Sequence, residues 1–481
     1  MTIDFYPEQE EALEFLEQAN IRALFMETGT GKTPVTLKKL EKEHANGLRK
    51  FLVVCPNALT YNWVNEARKW GSFLKVARYE GNGRKARVES IRGDWDVLCV
   101  NYESIRTLVP EFLAVGVSII VFDEMHRVKS RQAAQTKACK AIAAGTKIRL
   151  GLTGTPVGVS PLDLWSEFDV LSAGTGKHIL GYGSFKSFEA QVADCSPHPF
   201  IRFAKLYKFP DHKLAELKRR LAPHAFEMTK EFLKLPERTS QIIYCDMEDE
   251  QAKVYEDMKN DSVVLLEQFE SGDNPDSAIS SSSIVLTQQT RLQQITAGFI
   301  KMDDGQIQEL PSAKLTVLKT MLPEVTYGTN KTCVFSRFTH DINAVISLCS
   351  KLGLPYRYVD GRNSKDGAFI AEEFQNNPEI KVFIGNLACV SEGLNLFAAN
   401  SVFYFTNSYN RIHRSQSQDR VYRKGQTKNV TYYDLVCKGT IDKAVLKNLK
   451  DKDELSFKTV SGLKAALLEE SLDDDFFEIP F

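Results

Sequence analysis

Between an apolar run, Ala23-Leu24-Phe25, and a helical pattern from Val35 to Leu40 lies the octapeptide Met26-Glu27-Thr28-Gly29-Thr30-Gly31-Lys32-Thr33. Strand, glycine-rich turn and helix in that order are the setting a phosphate-binding loop needs. Gly29 and Gly31 allow a tight turn, so that successive backbone N–H groups, those of Thr28 and Thr30 included, point at phosphate oxygens near a helix N-terminus. Lys32 then reaches the terminal phosphates and the Thr33 hydroxyl is placed to ligate Mg²⁺. Pro34 suits the first helical turn, where a missing N–H costs little. The strict pattern has a glycine where Met26 stands, and a chance Gly-Lys-Thr turn is the competing reading until the rest of the chain is weighed.

A length of 481 residues suits two or three domains rather than one core. The formal net charge of −1 excludes a uniformly basic surface, although a local groove can still bind a polyanion. Nine cysteines stand singly with no C-x-x-C pair, which argues against a zinc site and a disulfide framework and fits a reducing compartment. The N-terminal residues lack the basic and apolar segments of a signal peptide, and the run Val117 to Phe122 is far short of a membrane span. The expectation is a soluble intracellular protein.

Apolar strands at 51–55, 97–100, 118–122 and 148–152 alternate with helical patterns, which indicates a parallel sheet covered on both faces. This first α/β domain is expected over residues 1–156. Residues 157–310 read as a mainly helical insertion or linker, with a polar stretch from Ser271 to Ser283 expected to be a mobile loop. The cluster Lys218-Arg219-Arg220 there is either a phosphate contact or a solvated helix face. Strand–helix alternation resumes over 311–450 without a second phosphate loop, and 451–481 form a C-terminal extension.

Three further motifs carry chemistry. Ser118 to Phe122 is an apolar strand that ends in Asp123-Glu124-Met125-His126, so two carboxylates reach the sheet's carboxyl edge. Asp123 is suited to hold Mg²⁺ and Glu124 to polarise the attacking water as general base. Leu152-Thr153-Gly154-Thr155-Pro156 is another strand end, whose hydroxyls at Thr153 and Thr155 are candidates for coupling the γ-phosphate to domain movement. In Gln416-Ser417-Gln418-Asp419-Arg420-Val421-Tyr422-Arg423-Lys424-Gly425-Gln426, Arg420 and Arg423 lie three apart and are expected on one helix face. Two guanidinium groups offered from the second domain would stabilise a transferring phosphoryl group.

In this order the motifs resemble those of superfamily 2 helicases, and within them the Swi/Snf-like DNA translocases of compact phage or bacterial type. The resemblance covers about residues 5–450 and rests also on Tyr6-Pro7-Glu8-Gln9, Pro56 with Trp63, Glu66 and Trp70, Arg291 to Ile295, Ser312-Ala313-Lys314-Leu315, Val334 to Phe338, Asp360-Gly361 and Glu392 to Leu396. It implies two RecA-like parallel-sheet lobes and the use of ATP with Mg²⁺. It implies that Tyr6 and Gln9 contact the adenine, and that His126 and Gln416 couple the nucleotide to motion. It implies a sequence-independent DNA groove gripped through backbone phosphates by Asn57, Thr60, Ser104, Arg106, Ser336, Arg337 and Ser391. Two departures stand out: Val390-Ser391 replaces a glycine pair, and Tyr409-Asn410-Arg411 replaces Trp-Asn-Pro.

The chain ends Leu472-Asp473-Asp474-Asp475-Phe476-Phe477-Glu478-Ile479-Pro480-Phe481, which resembles the acidic tip of bacterial single-stranded-DNA-binding proteins and, less closely, sliding-clamp peptides. Asp474, Asp475, Phe476, Phe477, Ile479 and Phe481 are therefore candidates to dock on a replisome protein, against the alternative of packing on the chain itself. The expected activity is DNA-dependent ATP hydrolysis that drives translocation on duplex or branched DNA, in fork remodelling, branch migration or unwinding. The alternatives are the motor of a restriction or nuclease assembly, an RNA helicase, or an ATP-gated scaffold that does not move.

Overall fold

The computed structural model describes residues 5–81, 83–154, 160–197, 205–270, 278–302, 304–390 and 394–450, with Leu463 and Leu467. Thr155, Ser391 and the acidic-aromatic tail lie outside the described residues. The chain divides into two compact units, residues 1–198 with 204–234, and residues 199–203 with 235–481.

In the first unit, helix α1 (Pro7–Glu17) leads to strand β1 (Ile21–Met26), helix α2 (Lys32–Ala45), β2 (Phe51–Cys55), helix α3 (Asn57–Lys69), β3 (Val76–Arg78), β4 (Val97–Asn101), β5 (Ile119–Asp123) and β6 (Ile148–Thr153). A small antiparallel pair, β7 (Asp194–Pro197) and β8 (Lys205–Lys208), precedes β9 (Ala225–Met228). The sheet order is β3-β4-β2-β5-β6-β1-β9, and every pairing is parallel. Successive residues of a strand point to opposite faces, so Phe25, Val54, Val100 and Phe122 enter one apolar cluster while Leu24, Val53, Cys99 and Val121 enter another. Two cores, one on each face, are why these strands read as unbroken apolar runs.

The second unit carries β10 (Arg238–Cys245), the hairpin β11 (Phe299–Lys301) and β12 (Ile307–Glu309), β13 (Thr332–Ser336), β14 (Tyr356–Val359), β15 (Val382–Asn386), β16 (Ser401–Tyr404) and β17 (Val430–Cys437). Its main sheet runs β10-β17-β16-β13-β15-β14, again all parallel. Long helices Asp249–Glu270 and Ala278–Ala297 share a further core with Ile441, Val445, Leu463 and Leu467. The chain is thus α/β with two parallel-sheet lobes, as its sequence leads one to expect.

Residues 157–310 are divided between the units. Helices Asp163–Leu171, Phe185–Val192 and Asp211–Leu221 belong to the first, whose sheet β9 extends beside β1, whereas β10 belongs to the second. β9 and β10 are short or half-buried strands flanked by charge, which hides them among helical patterns. Of the polar stretch 271–283, residues 271–277 lie outside the described residues, and 278–283 open the helix Ala278–Ala297 rather than belonging to a loop. Among the described residues no helix is long and apolar enough to cross a membrane.

Candidate nucleotide site and strand-end interface

Three adjacent strands, β5, β6 and β1, deliver the nucleotide motifs to one edge of the first sheet. Asp123 ends β5, Thr153 ends β6, and the glycine loop follows β1, with Asp123 in register with Leu152 and Thr153 with Phe25. Gly29 and Gly31 take left-handed conformations, at φ 90° and 104°. A Cβ on Gly31 would sit 2.2 Å from the Gln9 amide nitrogen, so this position excludes side chains on two counts. The Gln9 amide spans the loop: its nitrogen donates to the Thr30 carbonyl at 2.8 Å and its oxygen accepts from the Tyr6 N–H at 3.1 Å. The Gln9 side chain therefore supports the loop's own backbone, a role that sequence reasoning had not assigned to it. Tyr6 packs edge-on against Phe232, with ring centroids 5.3 Å apart. The Lys32 ammonium donates to the Met26 carbonyl at 2.7 Å, and Met26 is wholly buried in the sheet, where a large apolar residue fits and a glycine would leave space. Thr28 faces β6: a Cβ on Gly154 would lie 3.1 Å from the Thr28 hydroxyl. Thr30 closes the turn by donating to the Glu27 carbonyl at 2.7 Å. Gly31→Ala should combine left-handed strain of about 1–3 kcal/mol with a clash on Gln9, and nucleotide affinity measured by titration calorimetry should fall at least about tenfold.

Asp123 and Glu124 are both buried. The Trp63 indole donates to one Asp123 oxygen at 2.8 Å and the Glu124 N–H to the other at 3.0 Å. Burial pushes the Asp123 carboxyl up, the Glu124 carboxylate beside it adds to that, and the Trp63 hydrogen bond and the Lys32 charge oppose it. Glu124 has φ 53° and ψ 54°, a left-handed conformation that a non-glycine residue rarely takes and that is held here between a buried strand and a tight turn. His126 lies 3.4 Å from both the Glu124 carboxylate and the Thr153 hydroxyl. One imidazole nitrogen thus lies between the Glu124 carboxylate and the Thr153 hydroxyl at the β6 strand end. The sequence marks Trp63 as an aromatic of a helix and of a segment shared with the resembled family; nothing local signals its partner 60 positions away.

At the carboxyl ends of β2, β3 and β4 the structure gathers a second set. Asn57, Thr60 and Ser104 belong to one hydrogen-bonded network: the Asn101 amide donates to the Asn57 side chain at 3.2 Å and its oxygen accepts from the Ser104 N–H at 2.7 Å, while the Thr60 hydroxyl donates to the Asn57 carbonyl at 2.7 Å. Arg78 donates to the Thr60 hydroxyl at 3.0 Å. Arg106 is exposed just beyond. Asn101 and Arg78, which link these residues, were missed by sequence reasoning. By contrast, Arg219 and Arg220 both donate to Glu216 at 2.8 Å and hold its carboxyl down at about 2, so both guanidinium groups of that cluster are engaged on one carboxylate within their own helix.

In the second unit Ser336 is buried, and its hydroxyl bonds to Asp341 and Thr406. Arg337 donates to Gln293 at 2.5 Å and lies 5.1 Å from the Tyr409 ring centre, and burial lowers its pKa. Both side chains are thus engaged inside the unit. Arg420 is buried on the helix Arg411–Val421, but that helix stops at Val421, so Arg423 follows its end rather than sharing its face. The chain turns there because Gly425 adopts φ 104° and Gln426 is stapled to the core: its amide donates to the carbonyls of Phe397 at 3.0 Å and Ala399 at 2.8 Å. Arg423 bonds to Asn395. Gln416 is buried on the same helix. A buried pair that sequence reasoning missed, Arg414 with Asp434, anchors this helix to β17.

Burial raises the Asp341 carboxyl to about 6, with hydrogen bonds from Ser336 and Thr406 opposing it. A carboxyl whose folded pKa lies above its unfolded value favours folding below about 4 and loses that contribution as pH rises to about 6. Asp341→Asn should therefore flatten the dependence of stability on pH between about 4 and 6, a difference on the order of 2–3 kcal/mol read by urea unfolding at the two ends.

The SNF2-related domain family matches residues 9–297, and the helicase conserved C-terminal domain matches residues 313–425. Among curated proteins the chain is similar to the mouse DNA excision repair protein ERCC-6-like 2, 24% identical over 84% of this chain and 30% of that protein. It is 27% identical to an uncharacterized ATP-dependent helicase of Mycoplasma pneumoniae, over 90% of this chain and 40% of the relative. The DNA repair and recombination protein RDH54 of Saccharomyces cerevisiae is 26% identical over 89% of this chain and 46% of its own length. The chain thus spans less than half the length of each of these three relatives. A solved structure titled as the Sulfolobus solfataricus SWI2/SNF2 ATPase core in complex with dsDNA aligns over 98% of both chains, with 24% identity and a TM-score of 0.43.

Proposed function

This chain belongs to the SNF2-related domain family and also matches the helicase conserved C-terminal domain, and from that premise we propose that it is a DNA-stimulated ATPase that translocates on duplex or branched DNA. The observation that carries the reading is the side-by-side delivery of Lys32, Thr33, Asp123, Glu124 and Thr153 by neighbouring strands of one sheet. In this reading the loop N–H groups and Lys32 hold the phosphates, and Glu124 orients the attacking water. The donor set suits Mg²⁺: the buried Asp123 carboxylate and the Thr33 hydroxyl are hard oxygen ligands, few enough to leave room for phosphate oxygens and water. The group supplies charge neutralisation at the phosphates when bound. The His126 imidazole between Glu124 and Thr153 gives Glu124 a route to the β6 strand end, the first step of coupling in this reading.

Asn57, Thr60, Ser104 and Arg106 sit where strand ends can meet a phosphate backbone, and such contacts predict salt-sensitive, sequence-independent binding. Steady-state ATPase with no nucleic acid, single-stranded DNA, duplex, forks and RNA tests the reading, with Lys32→Ala as control. Stimulation by duplex or forked DNA that the variant abolishes supports it. Stimulation by RNA alone would replace DNA as the track, and a rate indifferent to every nucleic acid would overturn the motor reading. A replisome partner for the C-terminal tail stands as a separate proposal, tested by pull-down after deletion of residues 472–481.

A further inference from the structure

Tyr61 follows Thr60 on α3 and is 49% exposed, unusual for a large ring at a sheet's carboxyl edge. Its ring is not isolated. The Arg78 guanidinium carbon lies 3.1 Å from the ring centre, and the same guanidinium is pinned by the Thr60 hydroxyl at 3.0 Å and by Glu80 at 2.8 Å. Arg78 thus covers one side of the ring and fixes it, while about half of the residue's surface stays open to solvent. This stacked pair adjoins the Asn57–Thr60–Asn101–Ser104 network through the shared Thr60 hydroxyl.

A ring clamped by a cation and half open to solvent has three properties. It loses little conformational entropy on binding, because its rotamer is already set. It offers a π-face that any nucleobase can stack on, without reading sequence. Its positive neighbour favours a group that carries phosphate nearby. Paired bases inside a duplex do not expose a face; an unpaired base does. Resting on the DNA-translocase reading above, we propose that Tyr61, clamped by Arg78, is a stacking platform for one unpaired base of a DNA strand whose backbone is held by the neighbouring strand-end residues. The DNA preferred at this surface is then one with a single-stranded element, such as a gap, fork or displaced strand, over continuous duplex.

The test titrates three probes by fluorescence anisotropy at one salt concentration: a thymidine 12-mer, a strand of the same length and phosphate number with abasic sites throughout, and a blunt duplex of that length. Tyr61→Leu should lose about tenfold in affinity for the thymidine strand, with unchanged affinity for the abasic strand and the duplex. Tyr61→Phe should retain the wild-type values, because the ring and not the hydroxyl is used. A single 2-aminopurine in the strand should be quenched on binding to wild type and to Tyr61→Phe, but not to Tyr61→Leu. Because Tyr61 is half-exposed, Tyr61→Leu should melt within a few degrees of wild type, which separates stacking from misfolding. Equal losses on base-bearing and abasic strands, or no loss on either, would overturn the platform while leaving the DNA reading intact. Wild type that binds none of the three probes would overturn the DNA reading itself.

Discussion

Arg420→Ala should lower DNA-stimulated ATP turnover about 10³- to 10⁵-fold, the range over which an arginine that neutralises a transferring phosphoryl group acts. Arg420 and Arg423 are not equivalent in the structure. Arg420 is buried on an ordered helix, whereas Arg423 lies past its end, bonded to Asn395. A preorganised cation contributes most where its charge needs no rearrangement, so the Arg423→Ala loss should be at least tenfold smaller. Arg420→Lys should not restore the rate, because a point charge lacks the planar fork. Single-turnover hydrolysis with saturating ATP and DNA separates these outcomes from altered binding. Equal losses at both positions would remove the distinction drawn from the helix end.

Glu124→Gln should reduce the hydrolytic rate about 10²- to 10⁴-fold, the usual contribution of a general base, with ATP affinity retained. The substitution keeps the size of the side chain and its ability to sit beside His126, while it removes the basic oxygen. Its backbone is the more telling part. Glu124 has φ 53°, so Glu124→Gly should relieve local strain of about 1–3 kcal/mol and raise the melting temperature even as hydrolysis is lost. A variant that gains stability and loses turnover would mark this residue as one whose conformation is maintained at the fold's expense. A fall in both would place the left-handed turn among ordinary structural features.

What could be read from the residues in order was what is local. The glycine loop, the acid pair at a strand end and the alternation of apolar strands each carry their signal within a dozen positions, and the structure places them on neighbouring strands. Long-range hydrogen bonds carry no such signal. Trp63 reaching Asp123, Asn101 reaching Asn57, and Arg414 paired with Asp434 each join elements that lie far apart in the chain. The helix that was to align Arg420 with Arg423 shows the other kind of limit. Periodicity has no knowledge of Gln426, whose buried amide draws the chain into a turn before the next helical repeat. Ser336 illustrates a third: the resemblance offers it to a phosphate backbone, and nothing in the sequence shows that its hydroxyl is bonded to the carboxylate five residues on.

The placement of β1 between β6 and β9 has a consequence for biosynthesis. The strand that launches the phosphate loop is made before either of its neighbours, which it gains only when Ile148–Thr153 and then Ala225–Met228 have followed. The loop itself is tied to that last strand, since the Glu27 N–H donates to the Met228 carbonyl at 3.0 Å and the Glu27 carboxylate accepts from the Lys230 N–H at 2.9 Å. At about 5–20 residues per second, the ribosome needs roughly 10–40 s to travel from one to the other. Until that interval closes the nascent phosphate loop lacks its tie to Met228 and Lys230, and its apolar β1 edge is open to any holdase that meets it.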